Sequence, residues 1–392
     1  MSFVELMDAF NSGDKVICYK TMKARDFMEF NPKESLKKGE VATKVAMDKL
    51  LPFEKFISSM EQAPFSGGSK FKNGDTLLAR ITPCLENGKT AFVAGLKEGE
   101  VAFGSTEFIV LRSRNGVSDP QYIYYLAISS FFRNIAIKSM VGSSGRQRVQ
   151  IGALEDIDIK VPSLEEQRRI ASKLALLDSK IALNSRINDN LYAILQAVYQ
   201  ETFINTKSTN QIGMLSDICC YAKEKIEVSK LDVESYFSTE NMLPEKKGAS
   251  IATQLPTVSK VTACHKGDTL ISNIRPYFKK IVYSEMNCGC STDVLCFSPK
   301  QPKYSSYLFC TLFEDNFFAF MVAGSKGTKM PRGDKAQIMT YPVGLPTEHE
   351  IDIFNELSQP ILKQINTNHI ENRYLVSLRD GLLKQLISDS TR

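Results

Sequence analysis

The 392-residue chain has no tryptophan and only three histidines. His265, His349 and His369 are far apart in sequence, so a histidine-based metal centre has no local basis. Nine cysteines are present, but none are spaced as zinc ligands: Cys219 and Cys220 are adjacent, and a single glycine separates Cys288 from Cys290. Buried apolar thiols are the expected role, and no metal is expected. No run of apolar residues approaches the ~20 needed to span a membrane. The opening MSFVELMDAFNSGDK has no apolar core of signal length. A cytoplasmic location with reduced thiols is the expectation. Gly88-Lys89-Thr90 resembles the end of a phosphate-binding loop, but Pro83 stands where that pattern needs its first glycine. No glycine-rich turn follows a strand in the manner of a dinucleotide cradle. The sequence shows no catalytic constellation. The net charge of +5 permits a nucleic-acid partner without requiring one.

What the chain does contain is a long helical pattern, present twice. Ser163 and Glu166 form a capping box after Pro162. Beyond it Ile170, Leu174, Leu177, Ile181, Asn184, Asn188, Leu191, Leu195 and Val198 recur at alternating spacings of four and three, the seam of a coiled coil. Thr347 and Glu350 repeat the box after Pro346. Phe354, Ile361, Ile365, Asn368, Asn372, Leu375 and Leu382 repeat the seam. Asparagine in an apolar seam costs stability and fixes register, so its recurrence at two matching positions marks duplication. Several apolar residues lie off the seam: Leu176, Leu183, Ile187, Tyr192 and Ile194 on the first helix, and Leu362, Ile370, Tyr374, Val376 and Leu378 on the second. A two-helix coil leaves such residues in water, so helices of a partner or the chain's own globular parts are expected to cover them. Pro360 lies inside the second helix, where a break near Ser358 is expected.

The segments before each helix also correspond. Gly74-Asp75-Thr76-Leu77 matches Gly267-Asp268-Thr269-Leu270, and Ser105-Thr106-Glu107 matches Ser291-Thr292-Asp293. Gly142-Ser143-Ser144-Gly145 matches Gly324-Ser325-Lys326-Gly327. Short apolar runs between Gly, Asn and Pro read as strands, with one helix over about 119–140. The fold expected is α+β: two similar globular domains separated by two long antiparallel coiled-coil helices, a tandem repeat with pseudo-two-fold symmetry. The domains are 1–162 and 206–346, and the helices 163–205 and 347–392.

The informative polar stretches are two basic glycine loops at matching places. One carries Arg146, Gln147 and Arg148, the other Lys326, Lys329 and Arg332. Arg275 and Lys279, flanking Tyr277 and Phe278, add basic residues in the second repeat. Glycine allows close approach to a phosphate, and Arg or Gln can read base edges. All eight polar residues are candidate DNA contacts. Ile181, Asn184, Asn188, Leu191, Ile365, Asn368, Asn372 and Leu375 are the candidate seam and docking residues.

The architecture, the Pro162-Ser163-Leu164-Glu165-Glu166-Gln167 helix opening and its counterpart at Pro346-Thr347 resemble the specificity subunits of type I restriction–modification systems. The counterpart departs from the pattern, with His349-Glu350-Ile351 where Glu-Gln is usual. The resemblance implies a non-catalytic subunit whose two target recognition domains each read one half of a bipartite, asymmetric site in double-stranded DNA. The helices would set the spacing and dock two methyltransferase subunits, and that complex would recruit motor-endonuclease subunits. S-adenosylmethionine, ATP and Mg²⁺ would belong to those partners, leaving this chain without a cofactor. A stand-alone DNA-binding regulator, a coiled-coil scaffold and a DNA enzyme with an unrecognised site are the alternatives.

Overall fold

A computed structural model describes residues 18–143, 145–205 and 211–388. The chain divides into two compact units, one of Met1–Ala182 with Leu375–Arg392, the other of Leu183–Tyr374. Each unit therefore owns part of both long helices.

In the first unit a four-stranded antiparallel sheet runs in the order Met28–Phe30, Phe108–Ser113, Thr76–Ala79, Thr90–Phe92. Its central strand is buried on both faces, which explains its unbroken apolar run. Leu77 and Val110 face one core with Val45 and Phe71 of a second sheet. Leu78, Ile109 and Leu111 face a second core of helical residues, among them Tyr122, Phe132, Ile170, Leu174 and Leu383. The second unit repeats the plan with Cys219–Tyr221, Val294–Pro299, Thr269–Ser272 and Ile281–Tyr283. There Leu270 and Cys296 face one core, and Ile271, Leu295 and Phe297 the other.

The second sheets share three strands and differ in the fourth. In the first unit Ala102–Gly104 lies between the parallel Val41–Val45 and the antiparallel Lys70–Phe71. In the second unit Cys288–Cys290 lies between the parallel Tyr236–Phe237 and the antiparallel Lys260–Cys264. The outer strand Glu61–Pro64 joins the parallel neighbour in the first unit, whereas Lys225–Glu227 joins the antiparallel neighbour in the second. The recurrent Gly-Asp pairs make one turn ahead of each central strand. Gly74 and Gly267 have φ of +88° and +93°, which a side chain would resist. Asp75 and Asp268 accept from the backbone N–H groups of Lys72 and His265.

The helix expected over 119–140 is two helices, Pro120–Ile128 and Ser130–Lys138. Ser129, in extended conformation, caps the second through Phe132 N–H and ends the first by donating to the Leu126 carbonyl. Six cysteines are buried, Cys264, Cys288, Cys290 and Cys296 in one core of the second unit, while Cys18 and Cys220 are exposed.

The long helices span Leu164–Tyr199 and Glu348–Leu383, each continued by wider turns to Asn205 and Ser388. Ser163 accepts from Glu166 N–H, and Thr347 and Glu350 close the full reciprocal box. The break expected at Pro360 does not occur: the helix is continuous through it. Pro360 and Glu356 are both exposed, so the turn that lacks the Pro360 N–H donor lies on an exposed side of the helix. Ser358 is fully buried instead of serving as a cap.

Candidate nucleic-acid interface and helix seam

Within each unit the seam is antiparallel. In the second unit Asn184 donates to Asn372 at 3.0 Å, and Asn368 donates to Asn188 at 2.7 Å. Asn188 also donates to the Ile365 carbonyl and Asn184 to Glu371. Rising numbers on one helix thus meet falling numbers on the other. In the first unit Leu177 packs with Leu375, and Ile181 borders that cluster. Leu191 is half-buried. Of the off-seam apolar residues, Leu362 is buried, and Tyr192 stacks on Phe313 with ring centres 4.8 Å apart. Both are covered by the second unit's own globular part. Leu176, Leu183, Ile187, Ile194 and Tyr374 stay exposed, while Ile370, Val376 and Leu378 are half-buried.

The first unit adds a buried network the sequence did not disclose. Asp178 on the first helix receives Arg379 of the second at 2.9 Å and the Tyr125 hydroxyl at 2.6 Å. Tyr125 in turn accepts from Lys55, which also donates to Gln121. The Lys55 ammonium lies 4.6–5.9 Å from the ring centres of Tyr125, Phe92, Tyr124 and Phe56. Burial there lowers its pKa to about 8.

The two basic loops are hairpins in one backbone frame. Val141 and Arg148 exchange both backbone hydrogen bonds, as do Lys326 and Arg332. The chain extending each central strand runs beside the hairpin: Thr82 N–H donates to Gln147 and Val149 N–H to Arg80 in one unit, Arg275 N–H to Pro331 and Gly333 N–H to Asn273 in the other. From the same extension, Arg80 N–H bonds the Glu107 carbonyl and Asn273 N–H the Asp293 carbonyl. This frame shifts the correspondence read from the sequence. Gly142 follows the first bridged residue and matches Gly327, both at positive φ, whereas Gly324 ends a helix.

Arg148 is bidentate on Glu107, with Nε at 3.0 and 3.1 Å and Nη2 at 2.6 Å, an arrangement that raises the arginine pKa. Arg332 Nη2 reaches Asp293 at 3.1 Å. Lys326 pairs with Asp334 at 2.6 Å, and the pairing lowers the Asp334 pKa. Arg146 and Lys329 are exposed and Gln147 is half-exposed, all on the hairpins. Arg275 adjoins its hairpin through the backbone, at φ +50°. Lys279 lies apart from the hairpin bonds and shares Asp315 with Lys246. Tyr277 and Phe278 are exposed rather than core. The arrangement brings together Gln147, Arg148 and Glu107 in one unit, and Arg275, Lys326, Arg332 and Asp293 in the other. The acidic partners were missed as site residues, although their Ser-Thr-acid setting recurs in the sequence.

Two duplicated α+β units, each presenting an arginine hairpin at the end of its central strand, define a tandem-repeat protein. Residues 19–193 match the type I restriction modification DNA specificity domain. The chain is 33% identical over 147 residues to the type I restriction enzyme EcoAI specificity subunit of Escherichia coli, covering 37% of this chain and 24% of that protein. It is 32% identical over 150 residues to the EcoEI specificity subunit of the same organism, covering 38% and 25%. The chain thus spans about a quarter of the length of these curated relatives. The crystal structure of the type I restriction–modification S subunit from M. genitalium superposes with a TM-score of 0.53 at 14% identity, covering 95% of this chain and 97% of that one. Residues 19–193 thus carry the sequence pattern of a type I restriction modification DNA specificity domain.

Proposed function

We propose that the chain is the non-catalytic DNA-reading subunit of a type I restriction–modification complex, each globular domain reading one half of a bipartite, asymmetric site. The observation that carries this reading is the repetition of one arginine hairpin, in one backbone frame, at the end of both central strands. Arg148 and Arg332 read base edges, while Arg146, Lys326 and Lys329 supply phosphate contacts, with Gln147 and Arg275 beside them. The helix pair sets the distance between half-sites, and its asparagine layers hold the register that a ruler needs. The exposed apolar residues, Leu176 in the first unit and Leu183, Ile187, Ile194 and Tyr374 in the second, are docking contacts for two methyltransferase subunits. Motor-endonuclease subunits then join that complex. S-adenosylmethionine, ATP and Mg²⁺ act on the partners.

The test uses the chain assembled with its methyltransferase subunits. Arg148→Ala and Arg332→Ala are each assayed for binding to the methylated target and to single-base variants of it. Each substitution is expected to relax one base position, in different half-sites, at a cost of about 1–3 kcal/mol. Wild-type discrimination in both variants refutes the assignment.

A further inference from the structure

We infer that Glu107 and Asp293 are specificity-determining positioning residues: each holds one edge of a reading arginine so that its other edge meets a base rather than a phosphate. The inference rests on the reading of Arg148 and Arg332 as DNA contacts and assigns a role to their acidic partners.

Three observations carry it. The pair occurs twice in the same place, with Glu107 and Asp293 bonded through their carbonyls to Arg80 and Asn273, and Arg148 and Arg332 closing their hairpins. In both units one residue of the strand extension bonds the acid through its N–H and the hairpin through its C=O, so acid and arginine are held as neighbours, and the ion pair joins them. Stability does not account for the repetition. The Arg148 side chain is 44% exposed and that of Arg332 54%, and exposed pairs add little to folding.

The geometry of Arg148 supplies the mechanism. Its Nε and Nη2 face the Glu107 carboxylate. A guanidinium has five N–H donors in a fixed plane, so Nη1 and the second N–H of Nη2 form the adjoining edge, turned about 120° from the first. Two parallel donors match two adjacent acceptors, the O6 and N7 of guanine among bases. A phosphate offers the same acceptor pair but carries a negative charge, and a carboxylate on the neighbouring edge of the guanidinium opposes its approach. The carboxylate therefore aims the arginine and biases it toward a neutral acceptor. Asp293, shorter by one methylene and held by a single contact, does the same for Arg332 in the second unit.

The experiment compares Glu107→Gln, Asp293→Asn, Arg148→Ala and Arg332→Ala in the assembled full-length complex. The probes are the duplex methylated by the wild-type complex, a set with each base pair replaced singly, and an unrelated duplex, over a salt series. Glu107→Gln is expected to lower discrimination about 5- to 100-fold at one base pair of one half-site. That base pair is the one Arg148→Ala affects, and binding to the unrelated duplex holds or rises. Asp293→Asn is expected to do the same in the other half-site, at the base pair of Arg332→Ala. A merely structural role would not single out one base pair. If the arginine variants lose discrimination while Glu107→Gln and Asp293→Asn keep it, the inference is overturned and the DNA reading stands. If none of the four loses discrimination, the inference falls together with the reading beneath it.

Discussion

Asp178→Asn should destabilise the first unit and leave the second unit alone. Both carboxylate oxygens of Asp178 are engaged: one receives Arg379 at 2.9 Å, the other the Tyr125 hydroxyl at 2.6 Å. The Asp178 and Arg379 side chains are 3% and 5% exposed. The substitution keeps the size of the side chain but removes the charge that compensates a buried guanidinium. Removing one member of a buried pair costs about 3–5 kcal/mol, because the survivor is left uncompensated. Asp380, the other carboxylate on Arg379, is largely exposed and screens less effectively. Chains of two units need not unfold in one step, so a single melting temperature would mix the effects. Hydrogen exchange resolves them. Amides of Pro120–Ile128 and of Leu164–Ala182 should exchange about 10²- to 10³-fold faster in the variant, and those of Ser305–Phe313 should be unchanged. Unchanged protection in the first unit, or equal loss in both units, would refute the reasoning.

Lys55 gives a pH-dependent counterpart. Its folded pKa of about 8 lies below the ordinary lysine value, so between pH 8 and about 10 the unfolded chain holds more protons and stability rises with pH. Urea unfolding should show a gain on the order of 3 kcal/mol in that window for wild type and none for Lys55→Met; parallel profiles would count against it. Above pH 10 the buried tyrosines, raised by burial and still protonated in the folded state, reverse the trend. Exchanging residues 206–345 for the equivalent segment of a relative should change one half of the methylated site; altered sequence in both halves would argue for one composite surface. Four residues inserted after Asn188 and, opposite it, after Asn366 lengthen each helix by about 6 Å and should add about two base pairs to the spacer. An unchanged spacer with full activity would remove the ruler from the account.

The helices were legible because their signals are local. A capping box and a four–three seam lie within one continuous segment, and both asparagine layers fall where the spacing puts them. The duplication was legible for the same reason, since Gly-Asp-Thr-Leu builds a turn that needs glycine at positive φ in both copies. Other features depend on distant partners. The break at Ser129 interrupts a pattern that is apolar enough to continue, and only packing reveals it. Pro360 argued for a break by propensity alone, but it lies on an exposed side of a helix that stays continuous through it. Lys55, Tyr125, Asp178 and Arg379 meet from four separate stretches, and no spacing rule connects them. The arginine loops were found, but the glycine match placed their first bridged residues three out of step, because Gly324, which ends a helix, stands at the same spacing from Gly327 as Gly142 does from Gly145.

We propose above that two equivalent hairpins read two separate half-sites. The direct measurement is the sequence motif methylated in DNA exposed to the assembled complex, determined for wild type, Arg148→Ala and Arg332→Ala. The account predicts a bipartite, asymmetric wild-type motif with a fixed unspecified spacer, relaxed by one variant in one half and by the other variant in the other half. An uninterrupted motif, or two variants relaxing the same half, would contradict it.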